Sequence, residues 1–191
     1  MQTKKRKLEF NPINPKLYNI IIAYLKKKFN CDSLDIPTER LFALGNGYLT
    51  VCFFSGNLEA AKITLSGLQA QGLHPYCLGV PLLIIKYTKH KNSKKIKIMP
   101  LFNLINFLKN CKNKIILNER IVQKLSYGKP IDVDLREINS YIGEHENNKS
   151  KLYVIETDTG ITIGFSRIFV YKNKVRILPV LDIGWYLREG K

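Results

Sequence analysis

Apolar residues first recur at helical spacing after Asn14-Pro15, where Leu17, Ile21, Tyr24, Leu25 and Phe29 fall on one face with Ile20 and Ile22 alongside. Asn14 suits the N-cap, and Pro15 suits the first helical position, where its missing N–H is no loss. Lys26 to Lys28 then occupy the last turn, at the negative end of the helix dipole. That placement predicts a solvated helix end rather than a binding site. Arg40 to Ala43 and Tyr48 to Phe54 read as short strands around the turn Gly45-Asn46-Gly47. Ser55-Gly56-Asn57 leads into a helix with Leu58, Ala61, Leu65 and Leu68 inward, ending near Gly67 or Gly72. Gly79 to Tyr87 is an apolar strand, and Lys94 to Ile98 pairs with it across a polar turn, Lys89 to Ser93. Pro100 opens a further helix with Leu101, Leu104, Ile105 and Leu108 inward.

Asn110 to Asn113 is polar and follows a complete helix, which marks a domain boundary. Beyond it the pattern changes. Ile115 to Leu117 is a strand and Glu119 to Ser126 a short helix, punctuated by Gly128 and Pro130. Asp132 to Asn148 is polar and irregular. Leu152 to Glu156, Ile161 to Tyr171 and Lys174 to Leu178 are strands joined by Thr157-Asp158-Thr159-Gly160 and Lys172-Asn173, and Asp182 to Leu187 forms a closing helix. The fold class predicted is α+β. Residues 1–110 form an α/β domain with a mostly antiparallel sheet and flanking helices, and residues 114–191 a small mixed β-barrel.

Charge changes this picture most. Among 191 residues, 31 Lys and Arg face 15 Asp and Glu, for a net +16. Such an excess opposes compaction and points to an anionic partner, nucleic acid first. The longest apolar runs, Ile20 to Ala23 and Gly79 to Ile85, fall far short of the roughly 20 residues that span a bilayer. No apolar segment follows the charged start, so a soluble intracellular chain without membrane attachment is expected. Cys31, Cys52, Cys77 and Cys111 stand apart with no CxxC, which predicts buried reduced thiols and no zinc site.

Chemistry is sparse. His74, His90 and His145 have no Cys or carboxylate at metal-ligand spacing, and no GxSxG, P-loop or GxGxxG occurs. No enzyme activity, metal or cofactor is expected. Asp132, Asp134 and Glu137 read as local charge balance or loop stabilisers rather than a metal cluster. What remains is a binding surface. Lys174 and Arg176 alternate with inward Val175 and Ile177, and Arg167 stands out of phase with Ile168 on the preceding strand. Phe165 and Phe169 lie in phase with Arg167 and share or flank that face; Tyr171 or Phe169 offers a ring for a base, though the barrel core is the commoner place for a Phe. Lys172 in the turn, Lys129 after Tyr127-Gly128, and Arg136 complete the candidates. The block Lys86, Lys89, Lys91, Lys94, Lys95 and Lys97 has no aromatic or Arg partner in sequence and reads as a solvated hairpin giving non-specific attraction.

Leu125-Ser126-Tyr127-Gly128-Lys129-Pro130-Ile131, Gly160 to Arg167, and Leu181-Asp182-Ile183-Gly184-Trp185-Tyr186-Leu187-Arg188 resemble, in order and spacing, the PUA domain. The last segment resembles the ending of the ribosome-biogenesis factors called nuclear-import-protein-seven, which join a pre-PUA α/β domain to a C-terminal PUA domain. The resemblance is strong from about residue 114 and looser before it, through Gly47 to Phe54 and Leu101 to Asn110. It implies a non-catalytic factor binding pre-rRNA during large-subunit assembly, with protein partners among assembly or exosome components. By motif it implies RNA contacts at Lys129, Arg167, Lys172, Lys174, Arg176 and Arg188. Ser166 stands where the family tends to have Gly. The eukaryotic-type segment is missing near Gly72 to Val80, so the resemblance is to an archaeal-type member, cytoplasmic if archaeal and nucleolar if eukaryotic. Two other readings stay open: an accessory subunit or remnant of an RNA-modifying enzyme, and a protein adaptor docking RNA onto a processing complex.

Overall fold

The structure is a computed structural model that describes residues 9–45, 48–90, 93–138 and 151–182, without the side chains of 89–95 and 182. It divides into two compact units, one of 9–22 with 35–104, the other of 23–34 with 105–182 among the described residues. Residues 23–34 and 105–110 thus group with the C-terminal part of the chain, where the sequence reading drew a boundary at 110.

The first unit holds a five-stranded antiparallel sheet in the order β1 (Phe10–Pro12), β2 (Leu41–Leu44), β3 (Tyr48–Phe53), β4 (Val80–His90), β5 (Ser93–Pro100). The first half of α1 (Pro15–Phe29) precedes β2, and α2 (Leu58–Ala70) crosses from β3 to β4. Both helices start as expected. Asn14 Oδ1 accepts from the Leu17 N–H at 2.8 Å, and Asn57 Oδ1 from that of Ala60 at 2.8 Å. Ala61 and Leu65 of α2 pack on Phe42, Leu44 and Cys52, which alternate to one face of the sheet. Leu41, Ala43, Val51, Leu83 and Ile85 are also buried. Two expectations fail here. Lys89, His90 and Ser93, expected in the turn, belong to β4 and β5, which pair up to His90 and Ser93, while residues 91 and 92 lie outside the described residues. The helix after Pro100 is only a 3₁₀ turn, Phe102–Phe107, though Leu104 and Leu108 are buried as expected.

The second unit is a mixed sheet curled into a half-barrel, in the order β6 (Lys114–Leu117), β8 (Tyr153–Thr157), β9 (Thr162–Tyr171), β10 (Lys174–Asp182), β7 (Ile131–Asp134). Among the described residues, only β6 and β8 run parallel. Between β6 and β7 lies α3 (Glu119–Ser126), whose Val122 and Leu125 join Ile115, Val133, Ile168, Val175 and Ile177 in one core. Asn118 Oδ1 caps α3 by accepting from Ile121 N–H at 3.0 Å. The end of α1 also packs in this unit, with the Phe29 and Phe165 rings 5.1 Å apart. Asn113, read from sequence as polar linker, is buried, and its Nδ2 donates to Lys28 O at 3.3 Å and Leu152 O at 3.2 Å.

The reading of four reduced thiols is also overturned. Cys31 is joined to Cys111 and Cys52 to Cys77, with Cα atoms 4.2 and 6.0 Å apart. Residues distant in sequence meet in space, which spacing alone does not reveal. No helix among the described residues is long and apolar enough to cross a membrane. Of the expected closing helix, Asp182 ends β10 and the rest lies outside the described residues.

Candidate nucleic-acid interface

Register decides which cations share a face. In the β9–β10 hairpin Arg176 pairs with Phe169, Leu178 with Arg167 and Lys174 with Tyr171. Ile168, Val170, Val175 and Ile177 point to the core, so Arg167, Phe169, Tyr171, Lys174 and Arg176 share the outer face, as the alternation predicts. Tyr171 is 52% exposed. Lys172 occupies the hairpin turn with φ 51°. The next strand, β7, brings Asp132 opposite Arg176 and Asp134 opposite Lys174.

Beside the turn, Leu135 N–H donates to Asn173 O at 2.8 Å, holding a 3₁₀ turn (Leu135–Glu137) against the hairpin. Exposed Arg136 is therefore brought to the same end as Lys172 and Lys174. Asp134 Oδ1 accepts from Arg136 N–H at 3.0 Å, and Glu137 Oε2 from Asp134 N–H at 3.3 Å. This reciprocal cap gives both carboxylates the loop-stabilising role expected of them.

Arg176 departs from its expected role. Its Nε and Nη2 donate to Asp132 Oδ1 and Oδ2, each at 2.7 Å, a bidentate pair that holds the guanidinium and offsets its charge. The hydrogen bonds from Arg176 hold the Asp132 carboxyl below the usual carboxylate range, and Asp132 raises Arg176 in turn. The guanidinium carbon also lies 5.9 Å from the centre of the Tyr171 ring. Arg176 is a positioned group, already paired.

Arg167 keeps different company. It acts on Tyr24 and Lys28 from the last turns of α1, within the same unit. Burial, then the charges of Arg167 and Lys27, push the Lys28 ammonium below its ordinary value, while burial raises the Tyr24 phenol. Lys28 Nζ stands 5.6 Å from the Tyr24 ring centre. Sequence reasoning set the lysine triplet aside as helix end; the Lys26–Lys28 run was the signal, but its neighbour Arg167 lies far off in sequence.

Three other expectations divide. Exposed Lys129 follows Gly128, whose φ of 74° turns the chain out of α3, but it precedes β7 and so sits at the far end from Lys172. Phe165 and Ser166 are buried, so neither faces a ligand. Arg188 lies outside the described residues. The outer sheet face thus carries Lys174 near the turn and Arg167 further along β9, with the Arg176–Asp132 pair between them, while Lys172 and Arg136 belong to the turns beside Lys174.

Residues 113–191 match the UPF0113 PUA domain. A solved structure described as that of a conserved PUA domain protein from Thermoplasma acidophilum matches with a TM-score of 0.56 at 12% identity, over 95% of this chain and 99% of that one. At that identity the likeness concerns the fold. No curated protein matches. PUA domains are generally RNA-binding, and a cationic sheet face on the PUA segment is consistent with that role.

Proposed function

We propose that this chain is a non-enzymatic RNA-binding factor of ribosome assembly that holds pre-rRNA of the large subunit on its PUA segment. The observation that carries this reading is the outer face of β9 and β10, where Lys172 and Lys174 stand beside exposed Tyr171 and Arg167 lies further along β9. Cations at strand spacing hold phosphates, and an adjacent ring offers one unpaired base a stacking surface. The assembly role is supported by the resemblance of the chain's ending to nuclear-import-protein-seven factors. That role goes with partners among assembly or exosome proteins and with a cytoplasmic site in an archaeal cell or a nucleolar one in a eukaryote.

The test is filter binding of the full chain to a transcribed large-subunit precursor fragment and to a shuffled control, across a salt series. Lys172→Ala/Lys174→Ala and Arg167→Ala are expected to weaken both RNAs alike. Each lost phosphate contact lowers the slope of log K against log salt by about 0.7–0.9. Parent-like affinity and slope in both variants would remove the PUA face from the reading, and equal binding of precursor and shuffled RNA would remove the assembly role.

A further inference from the structure

The net charge is not where the PUA segment is. Residues 113–191 carry thirteen Lys and Arg against ten Asp and Glu, whereas residues 1–112 carry eighteen against five. Between Ala60 and Asn118 there are ten Lys and no acidic residue, and six of those Lys fall between Val80 and Pro100, the span of β4 and β5. The surface described above therefore accounts for little of the excess.

Topology gathers these lysines. Strand β2 ends at Leu44, opposite Thr50, and β3 begins at Tyr48, opposite Lys86. Beyond that row β4 and β5 continue as a two-stranded ribbon from Tyr87↔Ile96 to His90↔Ser93, about 10 Å at 3.3 Å per residue. Lys86 lies directly opposite Lys97, and Lys89 is in register with Lys94. Like charges facing each other across a ladder are destabilising, and neither strand carries an acid to relieve them. Nor does the block lack an aromatic, as its sequence suggests. Lys86 Nζ sits 4.7 Å from the centre of the Tyr48 ring, which stays 61% exposed, and exposed Lys97 completes that cross-strand row.

We infer that the β4–β5 ribbon with Tyr48 is a second RNA site, taking a single-stranded segment with phosphates on Lys86 and Lys97 and a base on Tyr48. Spaced cations with a ring in the same row are what single-strand recognition uses, since stacking is tolerant of sequence and the lysines follow the backbone. An anionic membrane is the competing partner. Exposed Tyr87 and Ile96 are opposite one another one residue along, on the other face from the Lys86–Lys97 row. The ring shared with the lysine row favours RNA. The inference rests on the proposed function only for the identity of the polymer.

Fluorescence anisotropy with a labelled twelve-nucleotide oligouridine and the full chain tests it. Lys86→Gln/Lys97→Gln is expected to weaken binding and lower the salt slope by about 0.7 per lysine lost. Tyr48→Leu is expected to weaken binding about tenfold with the slope unchanged. Lys97→Gln alone, at an exposed position, serves if the double variant melts early. Parent-like affinity and slope in the lysine variants overturn the inference, whatever Lys172→Gln/Lys174→Gln does. Loss in Lys86→Gln/Lys97→Gln and in Tyr48→Leu, with Lys172→Gln/Lys174→Gln parent-like, upholds it and removes the PUA face instead. Vesicles of phosphatidylcholine and phosphatidylserine are the last arm, and binding to them that falls in Lys86→Gln/Lys97→Gln while oligouridine binding holds overturns it in favour of a membrane.

Discussion

The pairing of Arg176 with Asp132 shows how far the charge of a residue can differ from its letter. Both oxygens of the carboxylate accept from one guanidinium at 2.7 Å, in a solvent-exposed position where such pairs add little stability. Their effect is on recognition. Replacing Arg176 with Ala leaves the Asp132 carboxylate unoffset on the PUA face, so RNA affinity is expected to fall, and to return in Arg176→Ala/Asp132→Asn, which removes both charges. Asp132→Asn keeps the shape but frees a guanidinium on the PUA face, so affinity and salt slope are expected to rise, measured by filter binding at two salt concentrations. The sign in pH follows the same way. Asp132 has a folded-state value below its unfolded one, so the pair's contribution is present at neutral pH and is lost as acid takes the carboxyl through that lowered value. A binding gain on Asp132→Asn that fails to appear would mean that Arg176 does not face the RNA.

At the scale of elements, what was legible in the sequence was whatever local chemistry specifies. The α3 bounds follow from the run Glu119 to Ser126 stopped by Gly128 and Pro130, and the start of α1 from Asn14-Pro15. Strand β7 was not legible, because Ile131-Asp132-Val133-Asp134 is only four residues long and half acidic, and it is a strand through its partner β10. The far ends of β4 and β5 were missed for the same reason: lysines look like loop by composition, while the ladder is made by the backbone. Asn113 was missed most plainly. A polar residue in a polar run reads as linker, yet its amide bonds the Lys28 carbonyl of α1 and the Leu152 carbonyl before β8. Asn113→Asp keeps the volume, loses the donor and sets carboxylate oxygens toward two carbonyls. It is expected to cost about 1–3 kcal/mol as buried polar groups go unpaired. Burial beside carbonyls raises that carboxyl above its unfolded value, so the variant's deficit should shrink as pH falls through the raised value. A denaturant titration at pH 7.5 and pH 5 checks both, and an Asp variant as stable as the parent at pH 7.5 would remove the amide's role.

For the whole molecule the distribution of charge matters more than its total. In the first unit, residues 1–22 and 35–104, thirteen Lys and Arg face four Asp and Glu, so self-repulsion is little offset in the part of the chain whose sheet ends in the Lys86–Lys97 row. Salt screens exposed charges over about 10 Å at 0.1 M, so added salt relieves this strain and a polyanion relieves it further by binding the folded state. The melting temperature is therefore expected to rise between 0.02 and 0.2 M sodium chloride (about one decade), opposite to a protein held together by surface ion pairs. Oligouridine at low salt should raise it again. Lys86→Gln/Lys97→Gln removes one of the opposed pairs, so it should melt higher than the parent at low salt and gain less from added salt. A thermal scan by circular dichroism reads all three. A parent whose melting point falls with salt would place the lysines far enough apart that they do not oppose folding, and the ribbon would then have no electrostatic reason to await a partner.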